Sequence, residues 1–352
     1  MRVVPRAALT SAASPSAPAT VGPVPVRAAV WDLGSSSFQV LVCDAGPCGT
    51  LEPVLRRRAS LNLGLSVGAE GRIPPDRVKA SVREATRLRG ALDDAAPEVV
   101  VALATAALRD AENGPEVVDR LARVVKTAVR VLDGEEEARL CFAGQRAGVW
   151  TGGDPVLGMD LGGGCFEVAV GDAGAVTLAT SAAVGATRLR GELRTGDPLS
   201  GDDLAAIRAR TAAALGPIRS SLARYPGITH RTVLSGGTAR ALARLATVQT
   251  GGRAAGAAPA VNQVELPSGQ VAEQAARLAR LDLRERTALP GMPPRRAPML
   301  PIGAAILDTI ATELRIDHFV VSEWGLREGA LLDAVARRRE QTGPGAAPGP
   351  ET

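Results

Sequence analysis

The chain has 352 residues, which is enough for two domains that each bury a core of their own. Aromatic residues make up only 2% of the chain, so Val, Leu, Ile and Ala must fill those cores. The formal net charge of +4 suits a polyanionic ligand. Histidine occurs only at His230 and His318, which leaves little material for a histidine-built metal site or a phosphohistidine mechanism. Chemistry in this protein must therefore rest on carboxylates, backbone amides and arginines.

The cysteine pattern and the hydropathy indicate a reduced, cytoplasmic protein. The four cysteines contain no Cys-x-x-Cys pair and are too sparse for a disulfide framework: Cys43, Cys48, Cys141 and Cys165. No apolar run approaches the length of a membrane span, so we expect no membrane partner. We also expect no nucleic-acid partner.

Strands and helices alternate along the first half of the chain. The predicted strands are 28–31, 38–43, 99–103 and 129–132. The predicted helices are 74–92, 113–127 and 138–149. The glycine-containing segment 61–71 is predicted to be a loop-rich crossing, and 104–110 a loop that carries Arg109.

The second half continues this alternation, which argues for an α/β fold. The predicted strands are 156–159, 168–170, 176–180, 232–234 and 319–322. The predicted helices are 204–222, capped by Asp202 and Asp203, then a helix through Ala246, 269–281, 302–314, and a last helix after residue 329. The Gly/Ala-rich stretch 250–260 is predicted to be a surface excursion.

The segment 159–167 holds the most informative motif. An apolar strand ends on Asp160, a turn of three glycines follows, and Glu167 opens the next apolar run. Glycine amides can approach a phosphate closely, and carboxylates beside them can hold a hydrated Mg²⁺. The alternative is a structural hairpin turn, but a plain hairpin seldom carries an acid at both ends of such a turn.

The same pattern occurs earlier, at Asp32, where an apolar strand leads into a Gly-Ser-Ser-Ser turn and a second strand. Such duplication is expected when two related half-molecules face each other across a phosphate. A third strand–glycine–helix junction, at Ser235 to Thr238, would aim its amides at the same kind of ligand.

Seven motifs in order resemble the exopolyphosphatase / guanosine-pentaphosphate phosphatase (Ppx/GppA) family of the actin, Hsp70 and sugar-kinase superfamily. The motifs begin at Asp32, Ala104, Gly134, Asp160, Gly185, Ser235 and Trp324. The resemblance implies two actin-like (ribonuclease H-like) domains with an interdomain cleft. The predicted units are a disordered tail at 1–27, domains at 28–139 and 140–336, and a second disordered tail at 337–352.

The resemblance also implies a role for each site residue. Glu137 would be the general base that activates water, and Arg109 would stabilise the transferred phosphoryl group. Asp160, Glu167 and Asp32 would hold Mg²⁺, directly or through water. The predicted phosphate-binding residues are Gly34, Ser35, Ser36, Ser37, Gly162, Gly163, Gly164, Cys165, Gly236, Gly237 and Arg188. For Arg188 a surface salt bridge is the alternative, and Glu135 and Glu136 are expected only to favour the helix start through its dipole.

Four positions depart from the family pattern. Ser36 replaces an asparagine, Cys165 replaces a hydroxyl residue, Asn62 stands where many members have an arginine, and Asp133 takes a position that is usually small. None of these changes removes the predicted base or the metal carboxylates, but they bear on turnover and on substrate preference.

The leading hypothesis is a Mg²⁺-dependent phosphohydrolase that releases terminal phosphate from polyphosphate, or from guanosine pentaphosphate (pppGpp) to give ppGpp. The second hypothesis is a sensor that binds polyphosphate or an alarmone with little hydrolysis. A small-molecule kinase of the same superfamily is disfavoured, because those kinases use an aspartate base and an adenosine pocket. The resemblance further implies a homodimer.

Overall fold

The computed structural model describes residues 25–149, 151–251 and 259–342, in which the strands form two sheets. The strands of the first sheet are β1 (Val26–Leu33), β2 (Ser37–Ala45), β3 (Leu51–Ser60), β4 (Val99–Ala104) and β5 (Val129–Val131). Those of the second sheet are β6 (Val156–Leu161), β7 (Phe166–Gly171), β8 (Val176–Ala182), β9 (Thr232–Gly236), β10 (Glu265–Pro267) and β11 (His318–Val321).

Helices separate and cover these strands, as predicted for an α/β fold. The helices up to the middle of the chain are α1 (Leu63–Glu70), α2 (Pro75–Ala95), α3 (Ala106–Asp110), α4 (Gly114–Val125) and α5 (Gly134–Gly148). The remaining helices are α6 (Ala186–Leu193), α7 (Gly201–Ala214), α8 (Gly216–Leu222), α9 (Gly237–Gln249), α10 (Ser268–Arg280), α11 (Leu283–Ala288), α12 (Leu300–Leu314) and α13 (Leu326–Thr342). Within the described ranges, no helix combines the length and the apolar composition needed to cross a bilayer.

The two sheets share one plan. The first has the order β3-β2-β1-β4-β5 and the second β10-β11-β9-β6-β7-β8. In each, three antiparallel strands (β1–β3 or β6–β8) are followed by a parallel neighbour of the first strand, β4 or β9. The duplication inferred from the two acidic turns therefore extends to the whole start of each sheet.

Each sheet has its own apolar core, and two helices cross between them. Helix α2 packs Leu88 and Leu92 into the core of the first sheet, while α12 is buried on nearly all sides beside the second. Helix α5 places Phe142 against the second sheet, and α13 returns to cover the first sheet with Leu331 and Val335. The predicted boundary between residues 139 and 140 thus falls inside α5.

Several local predictions are wrong. Segments 61–71 and 104–110, predicted as loops, contain the helices α1 and α3, and the strands β3 and β10 and the helices α6 and α11 had not been predicted. The helix predicted over 204–222 breaks into α7 and α8 at Gly216. Its cap is Ser200, which forms a capping box with Asp203, and Asp202 takes no part.

The reason for the error at α1 is tertiary packing. The N-cap residue Asn62 is of a type that favours helix starts, but it adopts a left-handed conformation and its side chain makes no capping hydrogen bond. The helix is instead held against α6 at two glycines. A Cβ at Gly68 would lie 2.5 Å from the Arg188 carbonyl oxygen, and one at Gly191 would lie 2.3 Å from the Leu65 carbonyl oxygen.

The predicted tails lie mostly outside the described residues, as does most of the predicted excursion at 250–260. The inner ends of both predicted tails belong to secondary-structure elements. Strand β1 begins at Val26, and α13 continues to Thr342.

Candidate active site

Two hairpins of matching register position three of the predicted carboxylates. In the β1–β2 hairpin, Asp32 lies opposite Gln39. In the β6–β7 hairpin, Asp160 lies opposite Glu167. Asp32 and Asp160 each stand one residue before the end of the first strand, and both line a cleft formed by elements of the two sheets.

The turns that follow these acids also correspond. The Gly34 amide donates to the Ser37 carbonyl oxygen at 3.1 Å, and the Gly162 amide donates to the Cys165 carbonyl oxygen at 3.0 Å. Cys165 therefore occupies in the second turn the position that Ser37 occupies in the first. All four residues line the cleft.

The two turns face each other at close range. A Cβ at Gly163 would lie 2.1 Å from Ser36 Oγ, and one at Gly164 would lie 2.3 Å from Ser35 Oγ. Contact between the two halves thus explains these glycines without a ligand. Phosphate binding by their amides stays a prediction, and the two explanations are compatible because an amide and a Cβ leave the Cα in different directions.

The third glycine junction lies at the carboxyl end of β9. Gly236 has a φ of +106°, and a Cβ there would lie 2.5 Å from the Leu161 carbonyl oxygen, so only glycine fits. Helix α9 starts at Gly237, and its first residues line the cleft with the unpaired amides of a helix start. The Arg296 guanidinium covers Gly237, where a Cβ would lie 2.0 Å from its nitrogen.

Of the three glutamates that start α5, only Glu137 lines the cleft. Asp133 and Glu136 form a capping box, with the Glu136 amide donating to Asp133 Oδ1 at 2.8 Å. Glu135 is exposed. The cap explains the unusual Asp133, and it directs the next carboxylate, Glu137, into a buried position where its residue is 8% exposed.

The electrostatic surroundings of Glu137 favour its protonated form in the metal-free protein. Burial raises the pKa of Glu137, and repulsion by Asp160 and Asp32 adds to that effect. Arg109 opposes it, since its Nη1 lies 3.3 Å from Glu137 Oε2. A carboxyl group whose pKa lies above its usual range is suited to accept a proton from water.

Asp160 is held by a buried polar relay. Gln145 Nε2 donates to Ser235 Oγ at 2.8 Å and to the Met159 carbonyl oxygen at 2.7 Å. The Ser235 hydroxyl in turn donates to Asp160 Oδ2. Burial raises the pKa of Asp160, and the Ser235 hydrogen bond partly offsets this. The relay fixes the orientation of the carboxylate before any ligand arrives.

Glu167 lies behind Asp160. It is 2% exposed and does not line the cleft, and its Oε1 has no hydrogen-bond partner among the described residues. Burial raises the pKa of Glu167 well above its usual range, with added repulsion from Glu137 and Asp160. A buried carboxylate oxygen without a partner is costly, so Glu167 would need either a bound cation or a proton.

A model of the Ppx/GppA phosphatase family matches residues 41–338. The chain belongs to this family. It is 30% identical to Exopolyphosphatase 1 of Mycobacterium tuberculosis over 310 residues, covering 87% of this chain and 88% of the relative. It is 31% identical to Exopolyphosphatase 2 of the same species over 330 residues, covering 87% of this chain and 98% of the relative.

Solved structures of family members share the fold. An exopolyphosphatase from Cytophaga hutchinsonii superimposes with a TM-score of 0.76 at 25% identity, over 87% of this chain and 98% of that chain. The Ppx/GppA family member of Aquifex aeolicus gives a TM-score of 0.69 at 24% identity, over 89% and 98% of the two chains. The predicted two-domain actin-like fold is thereby confirmed.

The carboxylates of this site fit the magnesium ion that the Ppx/GppA resemblance implies, but they can supply only some of its ligands. Among the described residues no three His, Cys, Asp or Glu side chains are arranged to hold a metal ion. Mg²⁺ commonly takes one or two carboxylates and completes its shell with water and phosphate oxygens. Asp160 and Asp32 in the cleft, with the unpartnered Glu167 behind them, can supply that share.

Two predicted cations are already engaged. Arg109 donates to the Leu132 carbonyl oxygen and to Cys165 Sγ besides contacting Glu137, and it does not line the cleft. Arg188 donates to the Gly164 carbonyl oxygen and pairs with Asp110. Arg188 is therefore in a salt bridge that ties the two halves together, which was the alternative for that residue.

Five other arginines line the cleft: Arg58, Arg240, Arg295, Arg296 and Arg327. Arg327 belongs to one of the family motifs and donates to Gln39 Oε1 at 2.9 Å, while Gln39 Nε2 donates to Asp32 Oδ2 at 3.0 Å. The other four were missed, and so was Gln39. Only Arg240, one turn into the helix after Gly236, carried a positional signal in the sequence.

Proposed function

We propose that this protein is a Mg²⁺-dependent phosphohydrolase that releases the terminal phosphate of inorganic polyphosphate. The observation that carries the proposal is the position of Glu137, buried at the edge of a cleft that also holds Asp160 and five arginines. Such a cleft pairs one candidate base with a surface suited to a polyanion. The names of the two mycobacterial relatives support polyphosphate as the substrate.

In this mechanism Glu137, in its charged form, accepts a proton from the water that attacks the terminal phosphorus. Arg109 favours that charged form and holds the carboxylate in place through its contact with Oε2. This geometry gives Arg109 a role on the base as well as, or in place of, the predicted role on the phosphoryl group. Asp160 and Asp32 face the same space and would hold Mg²⁺ with Glu167. When bound, that ion would neutralise phosphate charge.

The glycine turns would contribute hydrogen-bond donors to the phosphate oxygens. The amides at Gly162–Gly164 and at the start of α9 border the cleft from the second half, and those at Gly34–Ser37 border it from the first. Donors fixed in the folded chain stabilise charge without reorganising during the reaction. Phosphoryl transfer depends mainly on such positioning and charge neutralisation.

The experiment compares Glu137→Gln with Glu135→Gln, which changes an exposed glutamate of the same helix turn. Phosphate release from long-chain polyphosphate and from pppGpp is measured with and without Mg²⁺. We expect the rate of the Glu137→Gln variant to fall by about 10²–10⁴-fold, as for loss of a general base, while Glu135→Gln stays near wild type. Release from polyphosphate but not pppGpp would give the substrate preference that we propose.

Two other outcomes would change the proposal. Saturable binding of both substrates by wild type without detectable phosphate release would contradict hydrolysis and favour the sensor hypothesis. Equal release by wild type and Glu137→Gln would contradict the role of the base. The homodimer implied by the resemblance and the cytoplasmic location expected from the cysteine pattern are part of the proposal, and light scattering of the purified protein tests the former.

A further inference from the structure

Arg58 is the cation that the first half of the molecule contributes to the cleft. It lies on β3 directly opposite Gln39, which itself lies opposite Asp32 on β1. These three side chains form a row across the sheet, and all three line the cleft. Two strand spacings separate Arg58 from Asp32, which is about 10 Å. Arg58 therefore lies along the cleft, away from Glu137 and the carboxylates around it.

The surroundings of Arg58 lack a matching anion. Its Nε is buried and has no hydrogen-bond partner among the described residues. Burial, together with repulsion by Arg295, Arg327 and Arg240, lowers the pKa of Arg58 to about 10, and attraction to Asp32 opposes this shift. Positive groups held together at this density are stabilised by an anionic ligand.

Arginines of the second half complete this part of the cleft. The Arg296 guanidinium makes no hydrogen bond or ion pair with the described residues, and burial together with repulsion by Arg58 lowers its pKa. Its loop is firmly anchored, because the fully buried Arg286 donates to the Ala297 carbonyl oxygen at 2.9 Å and Arg190 donates to the Pro298 carbonyl oxygen at 2.8 Å. The backbone next to Arg296 is thus fixed beside the cleft before a ligand binds.

We propose that Arg58 binds phosphate units farther from the terminal one than tripolyphosphate reaches, opposite Arg295 and Arg296, and so makes the enzyme prefer long phosphate chains to short ones. This inference rests on the proposed function and adds a determinant of substrate length to it. Asn62, which lines the same cleft, is neutral, so Arg58 is the one charged side chain from β3 or α1 that reaches the cleft within the described residues. Its planar fork suits phosphate oxygens.

The test compares Arg58→Gln with Arg56→Gln, an exposed arginine two residues earlier on the same strand that does not line the cleft. Steady-state phosphate release is measured with tripolyphosphate and with long-chain polyphosphate. For Arg58→Gln we expect KM for the long chain to rise by about tenfold or more, the loss of one charge-assisted contact, with kcat nearly unchanged. Tripolyphosphate should be affected much less, and Arg56→Gln should match wild type with both substrates.

Binding without turnover separates this inference from the proposed function. Calorimetric titration of long-chain polyphosphate into Glu137→Gln and into the double variant Glu137→Gln/Arg58→Gln should show the same tenfold weakening, even if wild type proves to release no phosphate. Arg58→Lys, which retains the charge but not the fork, should lie between. Equal binding by both proteins, equal KM for Arg58→Gln and Arg56→Gln, or a loss of the same size with tripolyphosphate would overturn the proposal.

Discussion

The two hairpins share their backbone plan and differ in chemistry. Asp32 faces an amide, Gln39, which donates to it and is in turn bound by Arg327. Asp160 faces an acid, Glu167, which has no cationic partner in contact among the described residues. The cross-strand position therefore places an amide beside Asp32 and a second acid beside Asp160, while arginines oppose the rise in pKa of both aspartates.

Because of this difference, we expect the two similar halves to contribute unequally to metal binding. Burial raises the pKa of Asp32 to about 6, with Arg327 and Arg58 opposing it, so the charged form is dominant near neutral pH. In the second half, repulsion by Glu137 and Asp160 adds to the effect of burial in raising the pKa of Glu167. An acidic cluster of this kind gains most from a divalent cation, so we expect the second hairpin to dominate metal binding.

The comparison is tested most strongly by changing the two equivalent aspartates. Asp160→Asn should reduce kcat for phosphate release by about 10²-fold or more, and Asp32→Asn by about tenfold, since Asp160 lies beside the buried Glu167 as well as near Glu137. The Mg²⁺ concentration that gives half-maximal phosphate release should rise for Asp160→Asn and should rise less for Asp32→Asn. Equal losses would mean that the halves share the ion evenly, and the expectation of unequal contributions would fail.

Sequence patterns could predict the parts of this site that are built locally. Asp32 and Asp160 follow from strand-to-turn patterns that repeat, whereas Glu137 is distinguished from Glu135 and Glu136 through the resemblance to the Ppx/GppA family. The arginines of the cleft could not be predicted in this way. Arg58 belongs to an edge strand with several exposed charged residues, and Arg295 and Arg296 belong to a segment between helices. Only the tertiary fold brings these segments together.

The turns themselves differ in how tightly they are held, which gives a prediction of intermediate size. A Cβ at Gly185 would lie 2.4 Å from backbone atoms of Gly163, whereas one at Gly34 would have Asp32 Oδ1 at 3.1 Å as its nearest neighbour. Backbone cannot move aside as a side chain can. Gly185→Ala should therefore lower the free energy of unfolding by about 1–3 kcal/mol, and Gly34→Ala by less.

Chemical denaturation measures both variants, with Gly153→Ala as the control because a Cβ there meets nothing within 4 Å. Loss of stability in Gly34→Ala as large as in Gly185→Ala would show that the first turn is held as tightly as the second.

Making the second hairpin resemble the first should change how stability depends on pH. The pKa of Glu167 in the folded, metal-free protein is raised above that in the unfolded chain, so the folded state binds the additional proton. The resulting stabilisation is complete below the unfolded pKa of about 4.3 and is lost as pH rises through the folded pKa. Glu167→Gln carries no such proton, so at pH 8 it should be more stable than wild type by about 1 kcal/mol.

Thermal unfolding without metal at pH 5 and pH 8, then with Mg²⁺ at pH 8, measures this effect. Mg²⁺ should stabilise the wild type and leave Glu167→Gln nearly unchanged. A wild type that gains stability between pH 5 and pH 8 while Glu167→Gln does not would reverse the expected sign and contradict a buried, protonated Glu167.

The smallest effect on activity is expected for a substitution at Cys165, which gives the second turn the residue type found at the equivalent position of the first. Cys165 takes the place of Ser37, and burial raises the pKa of its thiol, so it is neutral near pH 8 and is not a nucleophile. Its sulfur accepts a hydrogen bond from Arg109 at 3.1 Å, and a serine hydroxyl accepts such a bond at least as well. Cys165→Ser should therefore keep kcat/KM within about threefold of wild type, because the contact that orients Arg109 is retained. Maleimide labelling of the native protein should modify the exposed Cys48 without loss of activity, whereas inactivation through Cys165 would mean that the second turn opens far more readily than its packing implies.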